Sequence, residues 1–174
     1  MNIQMEFISE SELADESFSI VIDGLKPREI YRVEMFLSDY YCINPPMRLA
    51  HDVLWKSTAT FVSDTNGIIN ISQTPSCSGS YEGISTMGLF FNAKPLTNKR
   101  KKLPNSLSEI PLLDHFFVDI KIMQGNTVIA ERTFTRHYMS SQISHQDIYG
   151  KHFQGRLFYD KKAIKTPSID YCER

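Results

Sequence analysis

Cysteine is scarce in this sequence of 174 residues. The three cysteines are Cys42, Cys77 and Cys172, and no two of them form a Cys-x-x-Cys pair. An odd number of scattered cysteines does not build a disulfide framework, so the sequence indicates a reducing compartment. The same spacing gives no support for a zinc site. Cys42 is typical of a small buried core residue.

Long hydrophobic runs and an excess of one charge are also absent. No apolar stretch approaches the ~18 residues that a membrane span requires. The first 16 residues are acidic and lack the basic and apolar regions of a signal peptide. Lys and Arg number 19 against 20 Asp and Glu, so no global basic field attracts a nucleic-acid backbone. We expect one globular domain in the cytoplasm, with neither a membrane nor a nucleic-acid partner.

Helical periodicity is missing from every segment longer than ~12 residues, whereas alternation with a period of two is frequent. Tryptophan occurs once, but there are 11 Phe and 8 Tyr, which suit half-buried strands. Strands are predicted over residues 17–23, 30–37, 54–62, 68–71, 116–123, 127–134 and 153–159. The predicted fold is all-β, an antiparallel immunoglobulin-like β-sandwich of about seven or eight strands.

The segments between these strands carry turn signals. The Asn66-Gly67 pair predicts a hairpin that joins strand 54–62 to strand 68–71. Residues 75–83 are rich in Ser and Gly and predict a loop, and residues 98–113 predict a long surface connection. Residues 139–149 are compatible with a loop or with one or two turns of helix.

A catalytic serine is the first chemical candidate. Gly79-Ser80-Tyr81-Glu82-Gly83 looks like a nucleophile elbow, G-x-S-x-G. Its serine stands in the second position, however, and no helical pattern follows it. A stand-alone hydrolase that uses Ser80, His137 and an acid such as Asp119 is therefore the least favoured hypothesis.

Two further clusters could bind an ion. His145, Asp147 and His152 lie in one polar stretch, but their spacing is not that of metal ligands, so no metal site is predicted. The one charge run is Lys99-Arg100-Lys101-Lys102. It could contact phosphate groups of an anionic partner, or it could be a solvated loop, and the solvated loop is favoured because the chain is neutral overall.

A longer segment carries a family resemblance. Residues 79–91, which read GSYEGISTMGLFF, resemble the G-S-[YF]-x-G-x-x-x-M-G-L-x-W stretch of the acyl-CoA thioester hydrolase/bile acid-CoA:amino acid N-acyltransferase family. Phe91 stands where that family usually has Trp. Weaker similarities follow the family's order at residues 24–27, 55–61, 64–67, 135–139 and 155–159. The resemblance covers roughly residues 18–160 and concerns the family's N-terminal domain.

The resemblance implies a division of labour. In the family the N-terminal domain is a β-sandwich, and a following α/β-hydrolase domain cleaves or transfers the acyl group of acyl-CoA with a Ser or Cys nucleophile, a His and an Asp. None of those positions exists here, so no catalytic, cofactor-binding or metal-ligating residue is carried over. We expect an N-terminal extension over residues 1–16, the sandwich over 17–160, and over 161–174 a tail where the hydrolase domain would begin.

Two functional hypotheses follow. The first is a non-catalytic accessory domain of a longer enzyme, truncated before the hydrolase domain on which it would pack, with acyl-CoA bound only by the complete protein. His137 could then reach that domain, and an exposed apolar patch is expected where the domain docks. The alternative is a stand-alone β-sandwich binding module for an anionic or protein partner. In either case Gly79, Gly83 and Gly88 are expected to shape the backbone, and Met87 and Leu89 to pack in the core.

Overall fold

The structure is a computed structural model that describes residues 2–40, 53–97 and 114–162. The chain divides into two compact units. Described residues up to Tyr138 belong to the first unit, and those from Met139 onward belong to the second. Each unit is treated by itself below.

The first unit holds nine strands and one helical turn among its described residues. The strands are β1 (Gln4–Ser9), β2 (Phe18–Asp23), β3 (Ile30–Ser38), β4 (Trp55–Val62), β5 (Ile69–Asn70), β6 (Ser78–Gly79), β7 (Lys94–Pro95), β8 (His115–Gln124) and β9 (Thr127–His137), and the turn is α1 (Gly88–Phe91). In the second unit, β10 (Ile143–Tyr149) and β11 (Gln154–Asp160) form an antiparallel hairpin. The prediction of an antiparallel all-β fold is confirmed.

Two sheets form the first unit. One has the strand order β1-β2-β5 and the other the order β6-β4-β3-β8-β9, with β7 also paired to β4. Side chains from both sheets share one hydrophobic core, which is the arrangement of a β-sandwich. The immunoglobulin-like subclass stays a prediction.

The core follows the predicted alternation. Every second residue of β2, β3, β4 and β8 is buried, because successive side chains of a strand point to opposite faces. The buried set is Phe18, Ile20, Ile22, Tyr31, Val33, Met35, Leu37, Trp55, Ser57, Ala59, Phe61, Phe116, Val118, Ile120 and Ile122. The strands predicted over residues 30–37, 54–62 and 116–123 are therefore confirmed with their faces.

The hairpin predicted at Asn66-Gly67 is wrong. The turn exists, since Asp64 accepts hydrogen bonds from the backbone N–H groups of Asn66 and Ile68, both at 2.8 Å. The chain leaving it does not return along β4, however, and β5 pairs with β2 in the other sheet. This crossing buries Ile69 and Ile71 in the core, and burial of apolar side chains outweighs the local hairpin preference.

Other segments differ from the sequence pattern or complete it. Strand β1 lies inside the predicted extension 1–16, and the sequence pattern does not predict it because the adjacent Phe7 and Ile8 break the alternation. Residues 143–149, left open between loop and helix, form a strand paired with β11. Most of the predicted tail, residues 163–174, lies outside the described residues. No helix among the described residues is long and apolar enough to cross a membrane.

Candidate functional site

The segment that carries the family resemblance covers one edge of the larger sheet. We call residues 78–96 the edge segment, since its two short strands, β6 and β7, both pair with β4 and enclose α1 between them. Gly79 has a φ of +126°, and a β-carbon there would lie 2.3 Å from the carbonyl oxygen of Thr58. Only glycine allows this approach, so the expected backbone role of Gly79 is confirmed.

Ser80 completes the pairing with β4. Its backbone N–H donates to the carbonyl of Thr58 at 2.7 Å, and its Oγ accepts the N–H of Thr58 at 3.0 Å. The side chain thus takes the place of a backbone acceptor at the sheet edge. This contact gives the serine a structural role in the edge segment.

Tyr81 packs on Gly88. A β-carbon at Gly88 would lie 2.5 Å from Cζ of the Tyr81 ring. Among the residues that the structure describes, the buried hydroxyl of Tyr81 has no hydrogen-bond partner, and desolvation raises the pKa of Tyr81 to about 12. The contact between the Tyr81 ring and Gly88 holds the loop after β6 against α1.

Met87 and Leu89 face the core, as predicted. Both belong to the buried cluster, and the thioether sulfur of Met87 accepts the backbone N–H of Phe18 at 3.3 Å. Phe18 lies on β2 of the opposite sheet. The Met-Gly-Leu stretch thus ties the edge segment to both layers of the sandwich.

The three residues of the stand-alone hydrolase hypothesis do not meet. Ser80 follows β6, Asp119 lies on β8, and His137 ends β9. The strand order β6-β4-β3-β8-β9 separates Ser80 from His137 by four strand spacings, or ~19 Å across the sheet. Asp119 accepts a hydrogen bond from the hydroxyl of Thr133 at 2.5 Å. Neither His137 nor Asp119 is therefore within reach of Ser80 as a general base.

Arg136, beside His137, is a buried cation. It falls within residues 135–139 of the family resemblance, and the sequence pattern predicts no role for it. It is 1% exposed. Its guanidinium donates to Ser9 Oγ at 3.0 Å and to backbone carbonyls of the N-terminal segment, those of Ser11 at 2.9 Å, Leu13, and Glu16 at 2.6 Å. Desolvation lowers its pKa, although the charges of Asp15, Glu16 and Glu12 oppose that effect.

The guanidinium of Arg136 also lies over two aromatic rings, 5.6 Å from the centroid of Phe7 and 5.2 Å from that of Phe18. Such cation–π contacts add to the hydrogen bonds when the cation is desolvated. A signal for this role exists in the sequence, because an arginine at an inward-facing position of a strand needs internal acceptors. The residue fastens the N-terminal segment to β9.

His137 takes part in the same attachment. Its N–H donates to the carbonyl of Glu12 at 2.7 Å, and its carbonyl accepts the N–H of Ala14 at 2.8 Å. Its ring lies 5.9 Å from that of His115, whose Nδ1 is 2.5 Å from a carboxylate oxygen of Asp114. That hydrogen bond lowers the pKa of Asp114. The backbone of His137 thus helps to hold the N-terminal segment on β9.

Asp147 and His145, two of the three polar residues considered as metal ligands, make other contacts in the second unit. Asp147 accepts two hydrogen bonds from Arg156, at 2.7 and 3.2 Å, which lower the pKa of the Asp147 carboxyl. His145 contacts the ring of Phe158 at a centroid distance of 6.2 Å. Within residues 2–40, 53–97 and 114–162, no group of three or more metal-ligating side chains occurs.

The remaining candidates are the cysteines and the basic run. Cys77 is a free, exposed thiol. Cys42, Cys172 and the basic run at residues 99–102 lie outside the described residues, and the hypothesis of an anionic partner stays a prediction.

Comparison with known families decides the relationship. The family model described as acyl-CoA thioester hydrolase/BAAT N-terminal region matches residues 15–149. The chain belongs to this family. The match includes the whole edge segment as well as Arg136 and His137, and it ends at Tyr149, the last residue of β10.

Family relatives from Mus musculus are much longer than this chain. Acyl-coenzyme A amino acid N-acyltransferase 2 is 28% identical over 112 residues, which cover 64% of this chain and 24% of the relative. Acyl-coenzyme A thioesterase 5 is 24% identical over 160 residues, which cover 89% of this chain and 34% of the relative. The chain thus spans about a quarter to a third of these relatives. Its family resemblance is to their N-terminal region.

Proposed function

We propose that this chain is a non-catalytic β-sandwich domain of an acyl-CoA thioesterase or acyltransferase-like protein. It packs on an α/β-hydrolase domain and helps to shape that domain's active site. The activity of the complete protein is acyl-CoA thioester hydrolysis, with transfer to an amine as the second possibility. A cytoplasmic location belongs to the proposal, since the few cysteines are scattered and Cys77 is free.

One observation carries the proposal. The family model matches residues 15–149 of this chain, whereas the stretch of each relative that aligns with this chain is only 34% of the thioesterase and 24% of the N-acyltransferase. Most of each relative therefore lies beyond the region that this chain resembles. The chemistry named by those relatives is assigned to that other part.

The state of the candidate side chains supports a non-catalytic role. Ser80 Oγ is bonded to the backbone of Thr58, and Asp119 is bonded to Thr133. A serine nucleophile needs a base within hydrogen-bond reach and an acid that orients the base. Neither His137 nor Asp119 serves Ser80 in this way, so the domain is proposed to act through its surface.

A fusion protein tests the proposed packing. The 174-residue chain replaces the matched residues of Acyl-coenzyme A thioesterase 5 of Mus musculus, and scanning calorimetry compares the fusion with the chain alone. Contacts made only in the folded state stabilise both partners. We expect the transition of the sandwich to move to a higher temperature in the fusion. A transition at the temperature of the isolated chain would show that the domains are independent, and it would refute the proposed packing.

A further inference from the structure

We propose that the docking surface for the hydrolase domain is an apolar patch on the edge segment. This apolar edge patch consists of Ile84, Phe91 and Leu96 together with Leu54. The inference rests on the proposed function and adds to it the location of the contact and the chemistry of the opposing surface.

The four side chains are large, apolar and exposed. Their exposed fractions are 62% for Ile84, 75% for Phe91, 52% for Leu96 and 36% for Leu54. Three of them fall within 13 residues of one another in the chain. The fourth is adjacent in space, because the N–H of Leu96 donates to the carbonyl of Leu54 at 2.9 Å. Several large exposed apolar side chains on one short segment are typical of an interaction site.

The patch is held rigid by the core beneath it. Phe90 points inward and contacts the rings of Phe18, at 6.0 Å, and Phe116, at 6.2 Å. Its neighbour Phe91 is the exposed one. Asn92 closes α1 by donating from its N–H and its side-chain amide to the carbonyl of Gly88, at 3.2 and 2.8 Å. A surface fixed in this way loses little conformational entropy on binding.

The charge beside the patch indicates what faces it. Lys94 lies opposite Lys56 in the pairing of β7 with β4. Lys56 is paired with Glu34 at 3.0 Å, whereas Lys94 makes no ion pair within the part of the chain that the structure describes. The complementary surface is therefore apolar and carries a carboxylate opposite Lys94.

A domain of the same protein is the occupant that the observations favour. The curated relatives are about three to four times as long as the region matched here, since that region covers 34% and 24% of them. The edge segment lies wholly inside the family match. Among the other exposed apolar residues described in the first unit, Ile8 and Val128 lie singly on different strands, and Ile30 has one exposed neighbour, Val62, opposite it on β4. Such scattered surface hydrophobics are common.

Hydrogen–deuterium exchange on the thioesterase 5 fusion tests the location. Amides gain protection where contacts reduce local opening. We expect residues 84–96 to exchange several-fold more slowly in the fusion than in the isolated chain. A patch variant, Ile84→Ser with Phe91→Ser and Leu96→Ser, should abolish the calorimetric shift. The matched control, Ile8→Ser with Ile30→Ser and Val128→Ser, should retain it.

The outcomes separate this inference from the proposed function. A calorimetric shift with protection elsewhere and none at residues 84–96 would overturn the docking surface and leave the packing intact. Absence of both the shift and the protection would overturn both. Protection of residues 84–96 that grows with the concentration of the isolated chain would assign the patch to a second copy. Binding of the isolated chain to phosphatidylcholine–phosphatidylserine vesicles through these residues would assign the patch to lipid. Either of these last two results would refute the inference.

A measurement on the isolated chain keeps the test independent of the fusion. The dye ANS reports accessible apolar surface. We expect its fluorescence enhancement to fall several-fold in the patch variant and to change little in the control variant. Equal enhancement in the wild-type chain and the patch variant would show that no accessible patch exists there, and the inference would fail.

Discussion

The ring of Tyr81 rests on the backbone of Gly88, with the site of a missing β-carbon 2.5 Å from the ring's Cζ atom. The two residues lie at opposite ends of the loop between β6 and α1. Their contact closes the loop against the edge of β4, next to the apolar edge patch. The motif that identifies the family thus has a structural role, since its residues pack against each other and set the backbone conformation of the edge segment.

This contact makes position 88 intolerant of a side chain. In Gly88→Ala the ring of Tyr81 must move, and we expect the free energy of unfolding to fall by about 1–3 kcal/mol, the usual cost of overpacking. Urea denaturation measures the change. The control is Gly155→Ala, where a β-carbon meets no atom within 4 Å, and it should stay within about 0.5 kcal/mol of the wild type. A stabilised Gly88→Ala would contradict the contact.

The Tyr81 hydroxyl predicts a dependence of stability on alkaline pH. Its pKa is raised to about 12 from the ordinary value of 10.0 because burial disfavours the phenolate. The folded state therefore keeps the proton when the unfolded state has lost it, so stability from this group is present below pH 10 and decreases as pH rises towards 12. The slope should be steeper for the wild type than for Tyr81→Phe.

Tyrosinate absorbance measures the same group directly. The difference between the wild type and Tyr81→Phe should titrate near pH 12. At neutral pH the variant should be as stable as the wild type or slightly more stable, because it removes a buried hydroxyl that has no partner among the described residues. A difference signal centred at the ordinary tyrosine pKa would show that the hydroxyl is solvated.

Arg136 predicts the largest loss of stability. Arg136→Met removes a cation that hydrogen-bonds Ser9 Oγ and three backbone carbonyls, and we expect the free energy of unfolding to fall by about 2–4 kcal/mol. Hydrogen exchange over residues 9–16 should accelerate. Arg32→Met is the control, since the Arg32–Glu34 pair is partly exposed and should cost less than about 1 kcal/mol. Equal effects would refute the attachment role.

Alternation allowed most of the fold to be predicted. Strands such as β3 and β8 have an unbroken apolar buried face and a second face that carries most of their charged residues, so their residue patterns identify both the strand and its inward side. Strand β1 is not predictable in this way because its polar and apolar residues do not alternate cleanly. The crossing of the chain to the other sheet after Asn66-Gly67 is not predictable either, because a turn signal is local and does not reveal which sheet the next strand joins.

The candidate site was only partly predictable. Family resemblance identified the edge segment and the stretch containing Arg136, but not their contacts. The backbone bonding of Ser80 to Thr58 and the exposure of Phe91 beside the buried Phe90 depend on which residues come together in space. A sequence pattern shows neither, because the edge segment lacks a regular period.

The central claim is that this domain performs no acyl-CoA chemistry alone. Release of free coenzyme A from a long-chain acyl-CoA, followed with a thiol reagent, tests it on the purified 174-residue chain. We predict the rate of the buffer blank for the wild type and for Ser80→Ala alike. Thiol release that is proportional to protein concentration and lost in Ser80→Ala would contradict the account.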